Sequence, residues 1–361
     1  MSDRTEERVA VTVLGAGCAA LSLAARAAEF DSHDFTIIDP ETHKAGDHIW
    51  GFWAMPWLGE ASAMTRKKWF KWRIISPDRM VERTSENHPY SALNRHDWLD
   101  KCRKKAIAAG VRFLREVASS GTAQILDSRP PPTPRGVMLQ HFAGYEITID
   151  DDAFDSDTAI LMDFRCDQSR GMHFIYCLPF TARSALIEST LFSTEVAPKS
   201  FYDIAIRRYL SGIVGVENFH ITRHEQGVIP MANLPQRDPS LTGIGANGGA
   251  IRPSSGYAFS FIQKQIDQMK TSAKKHKPLR VSVPHSRFEL FMDSIFLRVI
   301  RDRPALAPQI FIAMAARLTG DEFALFLSGE AGPRLWLKIV LAMPKWPFLF
   351  AVFHSDQAGK S

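Results

Sequence analysis

Near its start the chain runs from the apolar stretch VAVTVL (9–14) straight into Gly15-Ala16-Gly17-Cys18-Ala19-Ala20 and an alanine-rich segment, an order that leaves few folds open. Strand, glycine turn and helix in immediate succession are the first half of a βαβ unit. Gly15 permits the tight turn, and Gly17 after Ala16 lets backbone approach a pyrophosphate. Ala20 lets helix and strand pack closely, while the helix start offers N–H groups to the phosphates. A second strand, FTIID, ends in Asp39, where an acid takes both ribose hydroxyls. Against a bound dinucleotide stands only a chance glycine turn.

A later glycine-dense stretch, GIGANGGAIRPSSGYAFSF (243–261), precedes an amphipathic pattern. Such a segment suits FAD: Gly248, Gly249, Pro253 and Gly256 would return to the nucleotide domain and lay backbone N–H groups against the cofactor. A flexible surface loop has the same composition. LNRHDWL (93–99) starts a helix near Arg95, which reaches either a phosphate or a surface carboxylate.

Along the chain, α/β alternation holds up to RPPPTPR (129–135), whose prolines exclude regular structure and mark a connector between domains. Beyond it YEITI, TAILMDF, MHFIYCLP and ALIESTLF are spaced as strands of an antiparallel sheet. Past about residue 285 apolar residues recur at three- and four-residue intervals, predicting helices. The expected organisation is a discontinuous FAD-binding domain (1–60, 90–128, 240–285), a substrate domain (61–89, 129–239) and a helical region (286–361).

Forty-five per cent hydrophobic and 23% charged residues are an ordinary globular mixture for 361 residues. The four cysteines form no C-x-x-C pair and no signal-peptide pattern opens the chain, which predicts a reducing, cytoplasmic setting. His220 and His224 lack a helix or a third ligand, so no metal is expected. The net charge of +5 gathers in RKKWFKW and KTSAKKHKPLR, which are either solvated faces or contacts with an anionic membrane, with nucleic acid last. LWLKIVLAMPKWPFLFAVF (335–353) is interrupted by Lys338, Pro344, Lys345 and Pro347. Its tryptophans and lysines suit a segment lying on a membrane surface; a buried helix pair is the other reading.

Several ordered stretches carry a resemblance: GDHIWGFW, YSALNRHDWL, LDSRP, QHFAGYE, ILMDFR, FIYCLPF, ALIEST, GVIPM and GGAIRPSSGYAF. Through them nearly the whole chain resembles the bacterial lycopene cyclases, FAD-dependent enzymes that close ionone rings on lycopene. The resemblance implies a nucleotide-binding domain of glutathione-reductase type, an inserted antiparallel sheet over the active site, and a helical C-terminal part. It adds Asp127, in LDSRP, to the cofactor-binding residues. It also implies peripheral attachment to the inner face of the cell membrane, because lycopene is dissolved there.

The implied chemistry gives Glu188, in ALIEST, its meaning. On residues alone, a lone carboxylate in an apolar strand is a surface glutamate at an edge; in the family the corresponding acid is the proposed proton donor to the terminal double bond. An alkene is a very poor base, so the donor must stay protonated, and burial raises a carboxyl pKa by up to about 3–5 units. In a strand, Leu186, Glu188, Thr190 and Phe192 share one face. Relatives carry a second acid next in sequence, where this chain has Ser189. The resemblance assigns the reduced flavin, with NAD(P)H as a possible electron source, to electrostatic stabilisation of the cation. Trp50, Phe52, Trp53, Phe174 and Tyr176 are candidates for helping through their ring faces, or else are core. The expected activity is redox-neutral β-ring formation. The rival readings are a related flavin-dependent monooxygenase or prenyl reductase, and a non-catalytic carotenoid-binding protein.

Overall fold

The computed structural model describes residues 8–40, 46–116 and 124–353. Val9–Leu14 pairs in parallel with His33–Ile38 on one side and Gln124–Asp127 on the other. Arg112–Leu114 and Thr242–Gly243 extend the sheet in parallel at its two edges. Both faces of such a sheet are covered, so Val11, Val13 and Ile37 are buried. Helix Cys18–Ala24, buried along almost its whole length, packs against helices Arg95–Ala108 and Phe259–Ser272. The α/β nucleotide-binding architecture expected from the glycine turn is present.

The second body of structure is a seven-stranded sheet in the order His220–Met231, Met138–Thr148, Ser184–Ser193, Met172–Thr181, Thr158–Asp163, Lys71–Ile75, Met80–Thr84. It is antiparallel as expected except between Thr158–Asp163 and Lys71–Ile75, which run parallel. Lys71–Ile75 and its hairpin partner Met80–Thr84 come from the chain before the prolines and join at the edge, where no short turn dictates direction. Ile49–Trp53, Tyr90–Asn94 and Lys67–Trp69 form a third, small sheet.

Strand alternation divides the large sheet into two environments. Ile187, Ile175 and Tyr145 pack under helix Lys199–Tyr209. Leu186, Phe174 and Phe192 face the other way, into the largest core, with Phe311 and Phe323 of helices Ala307–Arg317 and Gly320–Leu327. Capping boxes at Ser286/Glu289 and Thr319/Glu322 set the starts of helices Arg287–Asp302 and Gly320–Leu327. The chain then turns through Pro333–Ala342 and Lys345–Phe353, whose axes bend by 112°. Among the described residues no single helix is long and apolar enough to cross a membrane.

Candidate active site

Four residues line up across four strands of the large sheet: Glu225, Gly144, Glu188 and Tyr176 stand opposite one another in register. The glycine leaves its neighbours room, because a Cβ at Gly144 would lie a tight 3.1 Å from Cγ of Glu225 and 3.4 Å from Cγ of Glu188. With no Cβ there, the two glutamates approach each other over the glycine backbone, close enough that each carboxyl influences the other. Thr190 Oγ1 donates to Glu188 Oε1 at 2.5 Å, and the Ile49 N–H donates to Glu225 Oε2 at 3.0 Å.

The electrostatics follow from that geometry. Burial, and then the adjoining Glu225 carboxyl, push Glu188 well above the ordinary carboxylate range, against the pull of the Thr190 hydroxyl. Burial pushes Glu225 up to about 7, opposed by the Ile49 N–H and the Arg223 guanidinium. Both shifts favour a pair that holds at least one proton at neutral pH.

Glu188 opens onto a cavity of about 720 Å³. Its lining includes Cys18 of the first helix, 254–257 of the glycine-rich segment, and Val340, Lys345 and Phe348 of the bent helix pair. Its walls are dominated by Phe, Trp, Leu, Ile and Met. Of the aromatic candidates, Trp50, Phe174 and Tyr176 line the cavity. Phe52 and Trp53 do not: both are 1% exposed. Phe259 stacks on Trp50 at 5.0 Å and covers Phe52 at 5.3 Å. Trp53, on the opposite strand face, packs against Trp72, Tyr90 and Phe323. Tyr176 Oη donates to Tyr90 Oη at 2.8 Å, and a Cβ at Gly51 would collide with both hydroxyls.

Ser189 points away from this cavity. It is fully buried on the helix side of the sheet, 2.8 Å from His173 Nε2. His173 Nδ1 is 2.6 Å from the Asp167 carbonyl, which can only accept; Nε2 is therefore the unprotonated nitrogen and receives the serine hydroxyl.

Of the dinucleotide candidates, Gly15, Asp39 and Asp127 stand at the carboxyl ends of parallel strands, the usual ligand crevice of such sheets, whereas Gly256 lies against Gln140 and Ile229 of the large sheet. Gly15 has φ +93°, and a Cβ at Gly17 would meet no protein atom within 4 Å, leaving that approach open. Ala16 lies between them and Ala20 is fully buried against the sheet. Asp39 accepts from Arg103 at 2.5 Å. Arg95 makes a 3.5 Å contact to the Gly46 carbonyl, and its charge is felt at Cys18. Asp127 is fully buried and its carboxyl is taken up by Arg129 through three hydrogen bonds of 2.9–3.0 Å. Burial works against its ionisation, but the guanidinium prevails and holds the carboxyl below its usual range. Gly249 and Gly256 adopt φ +76° and +68°, Gly248 is pressed against the Gly243 carbonyl, and Pro253 is buried.

Sequence reasoning missed Glu225 and Arg129. Glu225 left a trace: within ITRHEQ it is the buried position of an alternating run whose other residues are exposed or partly exposed. Nothing local marks Arg129, whose placement depends on Asp127.

Comparison with known proteins places this geometry in context. The profile of the lycopene cyclase protein family matches residues 117–351. A chloroplastic neoxanthin synthase of Solanum tuberosum is 28% identical over 161 residues, 41% of this chain and 32% of that protein. The chain thus spans about a third of that relative's length. Lycopene beta-cyclase of Pantoea ananas is 25% identical over 282 residues, covering 71% of this chain and 70% of that one. Among solved structures, a geranylgeranyl bacteriochlorophyll reductase-like protein from Thermoplasma acidophilum superposes with a TM-score of 0.58 at 14% identity, covering 96% of this chain and 99% of the other.

Proposed function

Because the chain belongs to the lycopene cyclase family, we propose that it closes β-ionone rings at the ends of lycopene or a related linear carotenoid, an isomerisation started by Glu188. The observation that carries this reading is a buried carboxyl, held toward its protonated form by burial, facing an apolar cavity that holds aromatic rings and few polar groups. Glu188 transfers its proton to the terminal double bond; the resulting cation attacks an internal double bond, and loss of a ring proton sets the β unsaturation. Trp50, Phe174 and Tyr176 offer ring faces to the cation, each worth about 0.5–2 kcal/mol. The dry walls matter equally, since a trapped water would turn the cation into an alcohol.

The open approach at Gly17 and the positive-φ glycines fit FAD. Gly15, Ala16, Gly17 and Ala20 would take its pyrophosphate, Asp39 its ribose, and Arg95, Asp127, Gly248, Gly249, Pro253 and Gly256 the remainder, with Arg129 added beside Gly15. When bound and reduced, for which NAD(P)H is a source, the flavin would supply negative charge that favours the cation. Substrate enters from the inner face of the cell membrane, where the bent pair rests peripherally: Leu337, Leu341, Trp346 and Phe350 are 53–82% exposed there. Expression in cells that accumulate lycopene, with pigments separated by chromatography, tests the whole reading. The expected outcome is conversion to γ- and β-carotene; unchanged lycopene in cells containing flavin-loaded protein would overturn it.

A further inference from the structure

The second acid of this site comes from a strand two places away in the sheet. The cavity touches Glu188 but not Glu225, which is 6% exposed and lies behind it. The ionisable groups around Glu225 are Glu188, Tyr176 from Met172–Thr181, Glu146 from Met138–Thr148, Arg223 on its own strand, and Asp47 and His48 leading into Ile49–Trp53. Arg223 pairs with Asp47 at 3.0 Å and Glu146 at 2.9 Å, and Glu146 with Arg66 at 2.5 Å. These pairs join the back of the glutamate couple to the surface, where the Asp47 side chain is 38% exposed.

We propose that Glu225 is a positioning residue that keeps Glu188 protonated between turnovers and, as its charged neighbour, makes Glu188 the base that recovers the departing ring proton. This rests on Glu188 being the acid. Two carboxylates that face each other across Gly144 resist being charged together, so one proton is held in common and resides on the member facing the apolar cavity. When Glu188 gives that proton up, the alkene electron pair forms the new C–H bond and two adjacent carboxylates remain. That double charge is discharged by taking the proton shed by the ring cation: the C–H bond breaks, its electrons form the ring double bond, and the proton returns to Glu188. No atom or electron is gained or lost over the cycle. The site thereby needs no acid at position 189, which lies on the other side of the sheet.

The test is the flavin-loaded Glu225→Gln protein. Glutamine still accepts the Ile49 N–H and donates to Glu188 but has no charge. The alkaline limb of the kcat–pH profile should move about one pH unit or more to the acid side, with KM and flavin content unchanged. The protonated-carboxyl band of Glu188 in infrared titration should move with it. Glu225→Asp, which withdraws the charge by one methylene, should give a smaller shift in the same direction and carries the test alone if the glutamine protein does not fold. A limb and a band that stay at their wild-type positions overturn the inference, provided Glu188→Gln is inactive. An active Glu188→Gln overturns instead the assignment of Glu188 on which it rests.

Discussion

At the scale of single residues, Glu188 owes its chemistry to three neighbours that are far from it in sequence. Gly144 makes room, Glu225 supplies the opposing charge, and Thr190, on the same strand face, fixes one oxygen. Glu188→Gln keeps that geometry without an acidic proton, so flavin content should hold while cyclisation falls by about 10²–10⁴-fold. Glu188→Asp should retain part of the activity. Turnover of lycopene in detergent micelles measures both, and a glutamine protein as fast as wild type would remove Glu188 from the mechanism. Alternation in ALIEST placed Glu188 with Thr190 and Phe192 on the cavity face. Alternation could not reveal the strand two places away in the sheet that brings Glu225, because register across a sheet is fixed by tertiary pairing.

At the scale of elements, the glycine-rich segment is held to the C-terminal helices by one buried cation. Arg252 is fully buried and contacts Asp293 of Arg287–Asp302 at 3.3 Å and the Phe326 carbonyl at 2.6 Å. Removing one member of a buried pair strands the other charge, so Asp293→Asn should lower unfolding stability by about 3–5 kcal/mol, read from urea denaturation. The bent pair is the second such element. Deleting residues 333–361 should abolish binding to anionic liposomes while high salt releases the intact protein poorly, since apolar burial is insensitive to screening. Equal partition of the two proteins would count against a membrane role. The existence of these helices was legible from their apolar spacing. Their 112° bend was not, although Pro344 and Pro347 mark where a continuous helix fails. The aromatic run HIWGFW shows the same limit: its rings were candidates for the site, but whether Trp50 or Phe52 faces cavity or core depended on Phe259, more than 200 positions away.

For the whole molecule, buried titrating groups pull stability in opposite directions. His141 and His285 are held neutral by burial, down to about 4. Unfolded histidine titrates near 6.5, so their contribution is complete above about that pH and is lost as pH falls through about 4. Glu225, raised to about 7, acts in the other sense: its contribution is complete below the ordinary glutamate value and is lost as pH rises through about 7. Thermal unfolding midpoints should therefore fall on acidification below about pH 6.5, and Glu225→Gln should be more stable than wild type at pH 8 but not at pH 4. Identical midpoints for the two proteins at pH 8 would contradict the buried-acid assignment.

The large sheet also works as a partition one residue thick. Adjacent positions on a strand belong to different compartments: Glu188 to the hydrocarbon chamber, Ser189 to the buried layer on the other face, against His173. Restoring an acid by Ser189→Asp would therefore place it back to back with Glu188, against the imidazole, and out of reach of any alkene. That substitution should raise the proton affinity of His173, visible in its NMR titration, while leaving the carotenoid product unchanged. Sequence neighbours here are insulated from each other, and the two glutamates that share a proton are 37 positions apart.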